Sequence, residues 1–91
     1  MIFITTYRTK PFMPMDEAKE LLAVFAEHGV GPGVTAHYVA MDNSCGVVIS
    51  ENETAEEVYA SLLPYGPFIE YETLPVLTLD AALPHIMTAF G

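Results

Sequence analysis

The chain has 91 residues, 52% of them hydrophobic, with a mean hydropathy of +0.35 and a formal charge of −9. That charge repels phosphate backbones and argues against nucleic acid as a partner, and because Asp, Glu, Lys or Pro breaks every apolar run, none reaches the ~18–20 residues of a membrane helix. Cys45 stands alone, which excludes an internal disulfide and any multi-cysteine zinc or iron–sulfur site within one chain.

A chain this short fits one domain, residues 1–91, and such a domain hides only about 60–65% of the surface its unfolded chain exposes. Its hydrophobic fraction still exceeds the roughly 45–50% of an ordinary soluble domain. The surplus predicts a second buried surface, most simply one shared with a second copy of the chain. The opening residues Met1 to Arg8 have no charged segment ahead of the apolar ones and no small-residue cleavage site, so a cytoplasmic location is expected and a signal peptide is not.

Residues Ile2 to Tyr7 are β-branched or aromatic throughout and predict an interior strand covered on both faces. Arg8 to Pro14 form a loop, since Pro11 and Pro14 withhold backbone donors. A helix starts near Met15, with Asp16 and Glu17 at its positive end, and Ala18, Leu21, Leu22, Phe25 and Ala26 repeat at the spacing of one buried stripe. Gly29 terminates it, and Val30-Gly-Pro-Gly33 is a flexible connector. Two strands, Val34 to Met41 and Cys45 to Ser50, then meet at the turn Asp42-Asn-Ser44, whose side chains tolerate positive φ and bond their own backbone. Thr54-Ala-Glu-Glu57 matches a capping box opening a second helix, which Pro64 and Gly66 end. Phe68 to Leu77 is a fourth strand, with Pro75 tolerable near an end or on an edge. The tail from Leu79 to Phe90 holds a short helix around Pro84. The order β-α-β-β-α-β predicts a ferredoxin-like α+β fold: an antiparallel four-stranded sheet, two helices on one face, and a bare apolar face that packs against a second sheet.

The opening Met-Ile-Phe-Ile strand, the Phe25-Ala-Glu-His-Gly29 helix ending, the Gly33-Val-Thr-Ala-His-Tyr-Val39 arm and Phe68-Ile-Glu-Tyr-Glu-Thr-Leu-Pro-Val-Leu77 together resemble the dimeric α+β barrel superfamily, and within it the small DUF3303 domains. The likeness spans most of the chain. It implies a homodimer, and the superfamily's activities range over cofactor-free monooxygenases, haem-degrading enzymes, polyketide cyclases and isomerases, alongside members with no known activity. DUF3303 domains often carry a Trp in the second strand, near where this chain has Tyr38. Haem-degrading relatives use a Trp beside a polar pair, and this chain has no Trp.

Among single residues, His37 and Tyr38 are the catalytic candidates, His as an acid or base titrating near neutrality and Tyr as a donor to a developing oxyanion. Neighbours in a strand point to opposite faces, so only one of them can share a pocket with the helices. Tyr7 and Arg8 end the first strand with Lys10 close by, a cationic spot suited to a carboxylate or phenolate; the plainer expectation is an ion pair from Arg8 to Glu70 or Glu72. Tyr7, Arg8 and Tyr71 are the substrate-binding candidates. His28 complements the negative end of its helix and His85 sits in the tail, and the three histidines lack metal-ligand spacing. Cys45 is expected to be a small buried hydrophobe. Ser44 and Ser50 lack a nucleophile elbow, and Gly29, Gly31 and Gly33 follow a helix and precede a strand, the reverse of a phosphate loop. No metal and no cofactor is expected. Three readings result: a homodimer that binds a small apolar or aromatic molecule between sheet and helices, a cofactor-independent monooxygenase, cyclase or isomerase on an aromatic or polyketide-like substrate, and a structural assembly unit.

Overall fold

The computed structural model describes residues 1–29 and 31–91; Val30, the first residue of the expected connector, lies outside the described residues. The β-branched opening run forms a strand, Ile2–Thr9 (β1), two residues longer than its sequence suggests. It pairs antiparallel on one side with Cys45–Glu51 (β3) and on the other with Ile69–Val76 (β4). Val34–Val39 (β2) pairs with the far edge of β3, which makes the sheet order β2-β3-β1-β4. β1 is thus interior, and Pro75 lies near the end of an edge strand, where a lost donor is cheapest. Helices Met15–His28 (α1) and Ala55–Leu62 (α2) complete a ferredoxin-like βαββαβ unit.

Local chemistry sets the element ends. Gly29 takes φ +68° and returns its N–H to the Phe25 carbonyl at 2.7 Å, closing α1. In the β2–β3 turn Asn43 has φ +61°, while the Asp42 carboxylate accepts from the Ser44 amide at 3.0 Å and the Ser44 hydroxyl at 2.7 Å. Thr54 Oγ1 accepts from the Glu57 amide at 3.4 Å, one half of a capping box. The other half is diverted, since the Glu57 carboxylate accepts from Asn52 Nδ2 at 3.3 Å instead. Asn52 is buried and exchanges two backbone hydrogen bonds with Met1, both at 2.9 Å, so it ties the start of β1 to the end of β3.

Several expectations change in three dimensions. β2 stops at Val39, because Ala40 already closes the turn by donating to the Cys45 carbonyl at 2.9 Å. The tail is a 12-residue helix, Leu79–Phe90 (α3), capped by the Thr78 hydroxyl and continuous through Pro84. Cys45 is exposed rather than buried, since it opens β3 at the turn end of the sheet, opposite the exposed Arg8. The α1 stripe is not buried either: Leu22 is 68% and Phe25 45% exposed, because the helix stands off from the sheet. Among the described residues the buried apolar core consists of Phe3, Val58 and Phe68.

Candidate functional site

The register divides the sheet into two faces. Phe3, Thr5, Tyr7 and Thr9 of β1 align with Ser50, Val48 and Gly46 of β3 and with Thr73, Tyr71 and Ile69 of β4, and these form the inner face. Ile2, Ile4, Thr6 and Arg8 point the other way with Val47, Ile49, Leu74 and Val76. Between the inner face and the helices lies an open cleft of about 630 Å³, floored by Thr5, Tyr7, Val48 and His37 and walled by Ala18, Leu21, Leu22 and Phe25 of α1, Val58 and Leu62 of α2, and Tyr65. Its lining is mostly apolar, and its volume falls in the ~300–1,000 Å³ range of small-molecule sites. The standing-off of α1 is therefore what opens the site.

Tyr7 and His37 meet on the cleft floor. The Tyr7 Oη and His37 Nε2 atoms are 2.7 Å apart, and the rings meet edge to face with centroids at 5.7 Å and planes at 76°. They come from strands that are not neighbours, because β3 runs between them. Gly46 makes the span feasible: it lies opposite Tyr7 in β3, and a Cβ there would collide with the Tyr7 hydroxyl and ring. A glycine inside a strand marks such a close approach, and that was the signal available in the Cys45-Gly46 pair.

A bulge decides which way His37 points. Val34 pairs with Ser50 but Ala36 with Ile49, so Thr35 is an extra residue, held by its hydroxyl on the Ile49 carbonyl at 3.2 Å. Regular alternation from the inward Val34 would turn His37 outward. The extra residue reverses that parity and places His37 opposite Val48 on the inner face.

Tyr7 is half-buried, and burial first, then the neighbouring Cys45 thiol, raises its hydroxyl above the ordinary 10.0. Tyr65, also on the cleft, is raised by burial. Both phenols remain protonated donors at neutral pH. A second polar contact on the inner face joins the buried Thr5 to Thr73, hydroxyl to hydroxyl, at 2.8 Å. At the α2 end, Asn52 Nδ2 is engaged by the Pro32 carbonyl at 2.9 Å and by Glu57, which leaves Oδ1 without a hydrogen-bond partner among the described residues.

The structure brings Tyr7 and His37 together, sets Tyr71 beside Tyr7 on the same face, and separates Tyr38 and Arg8 from them. Tyr38 lies on the outer face opposite Val47 and is 63% exposed. Arg8 also points outward, opposite Glu70, and among the described residues no ion pair joins it to Glu70 or Glu72. Lys10 turns instead to Glu17 of α1 at 3.4 Å, so the two cations do not combine into one anion site. Tyr71 is the β4 neighbour of Tyr7 on the inner face, beside the cleft rather than in its lining. Cys45, in contrast, lies at the rim of the cleft. Among the described residues no group of three His, Cys, Asp or Glu side chains comes together to hold a metal ion, and no helix is long and apolar enough to cross a membrane.

A family model described as "Domain of unknown function (DUF3303)" matches residues 1–90. No curated protein matches the chain. Among solved structures, Rv0793 from Mycobacterium tuberculosis is similar over 85% of this chain and 95% of its own, with 13% identity and a TM-score of 0.49. A mutant of SnoaB, a cofactor-independent oxygenase from Streptomyces nogalater, is similar over 85% of this chain and 92% of its own, with 15% identity and a TM-score of 0.44. A dimeric ferredoxin-like protein of unknown function from Thermobifida fusca is similar over 82% of this chain and 89% of its own, with 12% identity and a TM-score of 0.40.

Proposed function

The chain belongs to the DUF3303 family, a domain family of unknown function, and from that premise we propose that it is a homodimer that binds a small aromatic or apolar molecule in the cleft between sheet and helices. The observation that carries this reading is the cleft itself: about 630 Å³ of mostly apolar space with the Tyr7–His37 hydrogen bond on its floor. An apolar ligand would recover the burial that Leu22 and Phe25 lack, at roughly 25 cal/mol per Å² of apolar area hidden. The paired Tyr7 and His37 would orient one polar substituent, such as a carbonyl or phenolic oxygen.

The 2.7 Å contact also favours a second reading, a cofactor-independent monooxygenase, cyclase or isomerase on an aromatic or polyketide-like substrate. In it His37 exchanges a proton with substrate carbon or oxygen, and Tyr7, held protonated by its burial, donates to the developing enolate oxygen. Tyr38 and Arg8 have no part in either reading.

A thermal-shift screen against aromatic acids and quinones tests the binding reading. A ligand present at a hundred times its Kd stabilises by about 2.7 kcal/mol, well above detection. Tyr7→Phe and His37→Ala should each weaken a hit at least tenfold, while Tyr38→Phe leaves it unchanged. Hits that ignore both inner-face substitutions would place the ligand elsewhere and end the reading. Consumption of a bound hit by the wild type but not by His37→Ala would raise the second reading over the first.

A further inference from the structure

The helix α3 is built to pack, yet its apolar stripe lies open. Leu79, Leu83, Ile86, Met87 and Phe90 repeat at i, i+4, i+7, i+8 and i+11, which is one helical stripe, and all five are exposed, from 42% for Ile86 to 88% for Phe90. His85, Pro84 and Thr88 fall on the opposite side, and Asp80 and His85 are the helix's only titratable side chains. Among the described residues no element packs closely against α3.

The dimensions record the same projection. The radius of gyration is 15.8 Å and the extents are 55 × 26 × 17 Å, whereas a compact chain of 91 residues has a radius near ~12 Å. The accessible surface is 6798 Å², against about 5,200 Å² for a compact monomer of 10.0 kDa. The excess is roughly 1,500 Å² per chain, shared among α3, the outer sheet face and the open cleft. Hidden between two copies it amounts to about 3,000 Å², the size of an obligate homodimer interface.

The surface that would receive α3 is on the same chain. The outer face is aliphatic at the end nearest the α3 root, with Ile4, Ile49 and Leu74, the last 58% exposed. A notch of about 350 Å³ opens at that root, lined by Ile2, Val76 and Ala81 among others. The same face turns polar at its far end, where Arg8, Glu70 and Glu72 lie. An apolar helix without charges on its stripe fits the first end and not the second.

We propose that α3 is an exchanged arm: its stripe packs across the aliphatic end of the outer sheet face of a second copy, reciprocally about a two-fold axis. The exchange rests on the homodimer reading above and extends it by naming the element that completes the interface. A two-fold arrangement needs no other partner, because helix and receiving face are supplied by each chain to the other.

The test uses the full chain. Sedimentation or light scattering should show a dimer for the wild type, and Leu83→Asp should raise its dissociation constant by about 100-fold, as a charge in an apolar seam does. His85→Asp, which adds a negative charge to the other side of the same helix, should leave the constant within a factor of about three. Hydrogen exchange on the wild type supplies a readout that needs no variant: α3 amides should be protected in the dimer and lose protection on dilution as monomer appears. A Leu83→Asp chain that dimerises like the wild type would overturn the exchange while leaving the homodimer standing. So would α3 protection that persists in the diluted monomer, because the helix would then be packed on its own chain. A wild type that is monomeric at all accessible concentrations would remove the homodimer reading and the exchange together.

Discussion

Both faces of the sheet carry apolar side chains, but they differ in how far those side chains are enclosed. The inner face mixes apolar side chains with uncharged hydroxyls, yet Thr5 is 4% and Ser50 6% exposed. The outer face carries aliphatic side chains at one end and Arg8, Glu70 and Glu72 at the other, yet its Leu74 is 58% exposed and its Tyr38 63%. Hydrophobicity alone therefore does not say what is inside this molecule. On the inner face, enclosure comes from α1 and α2 arching over the strands, and hydroxyls survive there because they are paired or sit beside a cleft. On the outer face the described residues leave Ile4 and Ile49 only half-buried and Leu74 in the open.

The largest effect expected from this contrast is on stability. Phe3→Ala removes an inner-face side chain that is 3% exposed and should cost about 3–5 kcal/mol in chemical denaturation. Leu74→Ala on the outer face should cost under about 1 kcal/mol in dilute solution, since a half-exposed side chain loses only part of its transfer energy. The gap should narrow as protein concentration rises and the outer face becomes covered. Equal costs at high dilution would break the contrast between the faces.

A smaller effect sharpens the inner face itself. Gly46→Ala places a methyl group where the Tyr7 ring lies, and the strain should cost about 1–3 kcal/mol. Because the ring must move, the same variant should lose the Tyr7–His37 contact, visible as a shift of the His37 ring resonances. Val47→Ala, one residue away but outward, should leave those resonances in place. If Gly46→Ala is as stable as the wild type and keeps the contact, the ring does not lie across that strand.

The smallest effect is a pH dependence. Tyr7 and Tyr65 both face the cleft and both are raised above 10.0, chiefly by burial. A raised phenol favours the native state while neutral, so this contribution is complete below the unfolded value near 10.0 and is lost as pH climbs through the higher native values. Denaturation midpoints should therefore fall at alkaline pH, and less steeply in Tyr7→Phe than in the wild type. A slope unchanged by that substitution would show that Tyr7 is not shielded by the cleft.

Much of the fold was legible because the signals were local. A β-branched run, the stripe Ala18-Leu21-Leu22-Phe25, the turn residues Asp42 to Ser44 and the Thr54 cap each depend on neighbours within a few positions, and their elements formed where those neighbours allowed. The capping box was half right, because Glu57 found a long-range partner in Asn52 that no local pattern announces. Four residues of the α1 stripe line the cleft and Ala26 is exposed outside it, because how closely a helix approaches is a property of everything between it and the strands. Here that distance leaves a cleft in place of a core. The tail was underestimated for a related reason: Pro84 lowers helix propensity locally, yet the helix runs on through it from Leu79 to Phe90.

The amino-acid order by itself determined the elements, their succession, the acidic character of the chain, and the presence of more apolar surface than one small sheet-and-helix layer can hide. Only the tertiary structure decided that His37 joins Tyr7 rather than Tyr38's side of the sheet. The physical reason is parity: one extra residue, Thr35, reverses every following side chain in β2, and an extra residue is defined only by the register against β3. Gly46 then let the two rings meet across the strand that separates them, a contact between residues 30 positions apart in the chain that no pattern along it could specify.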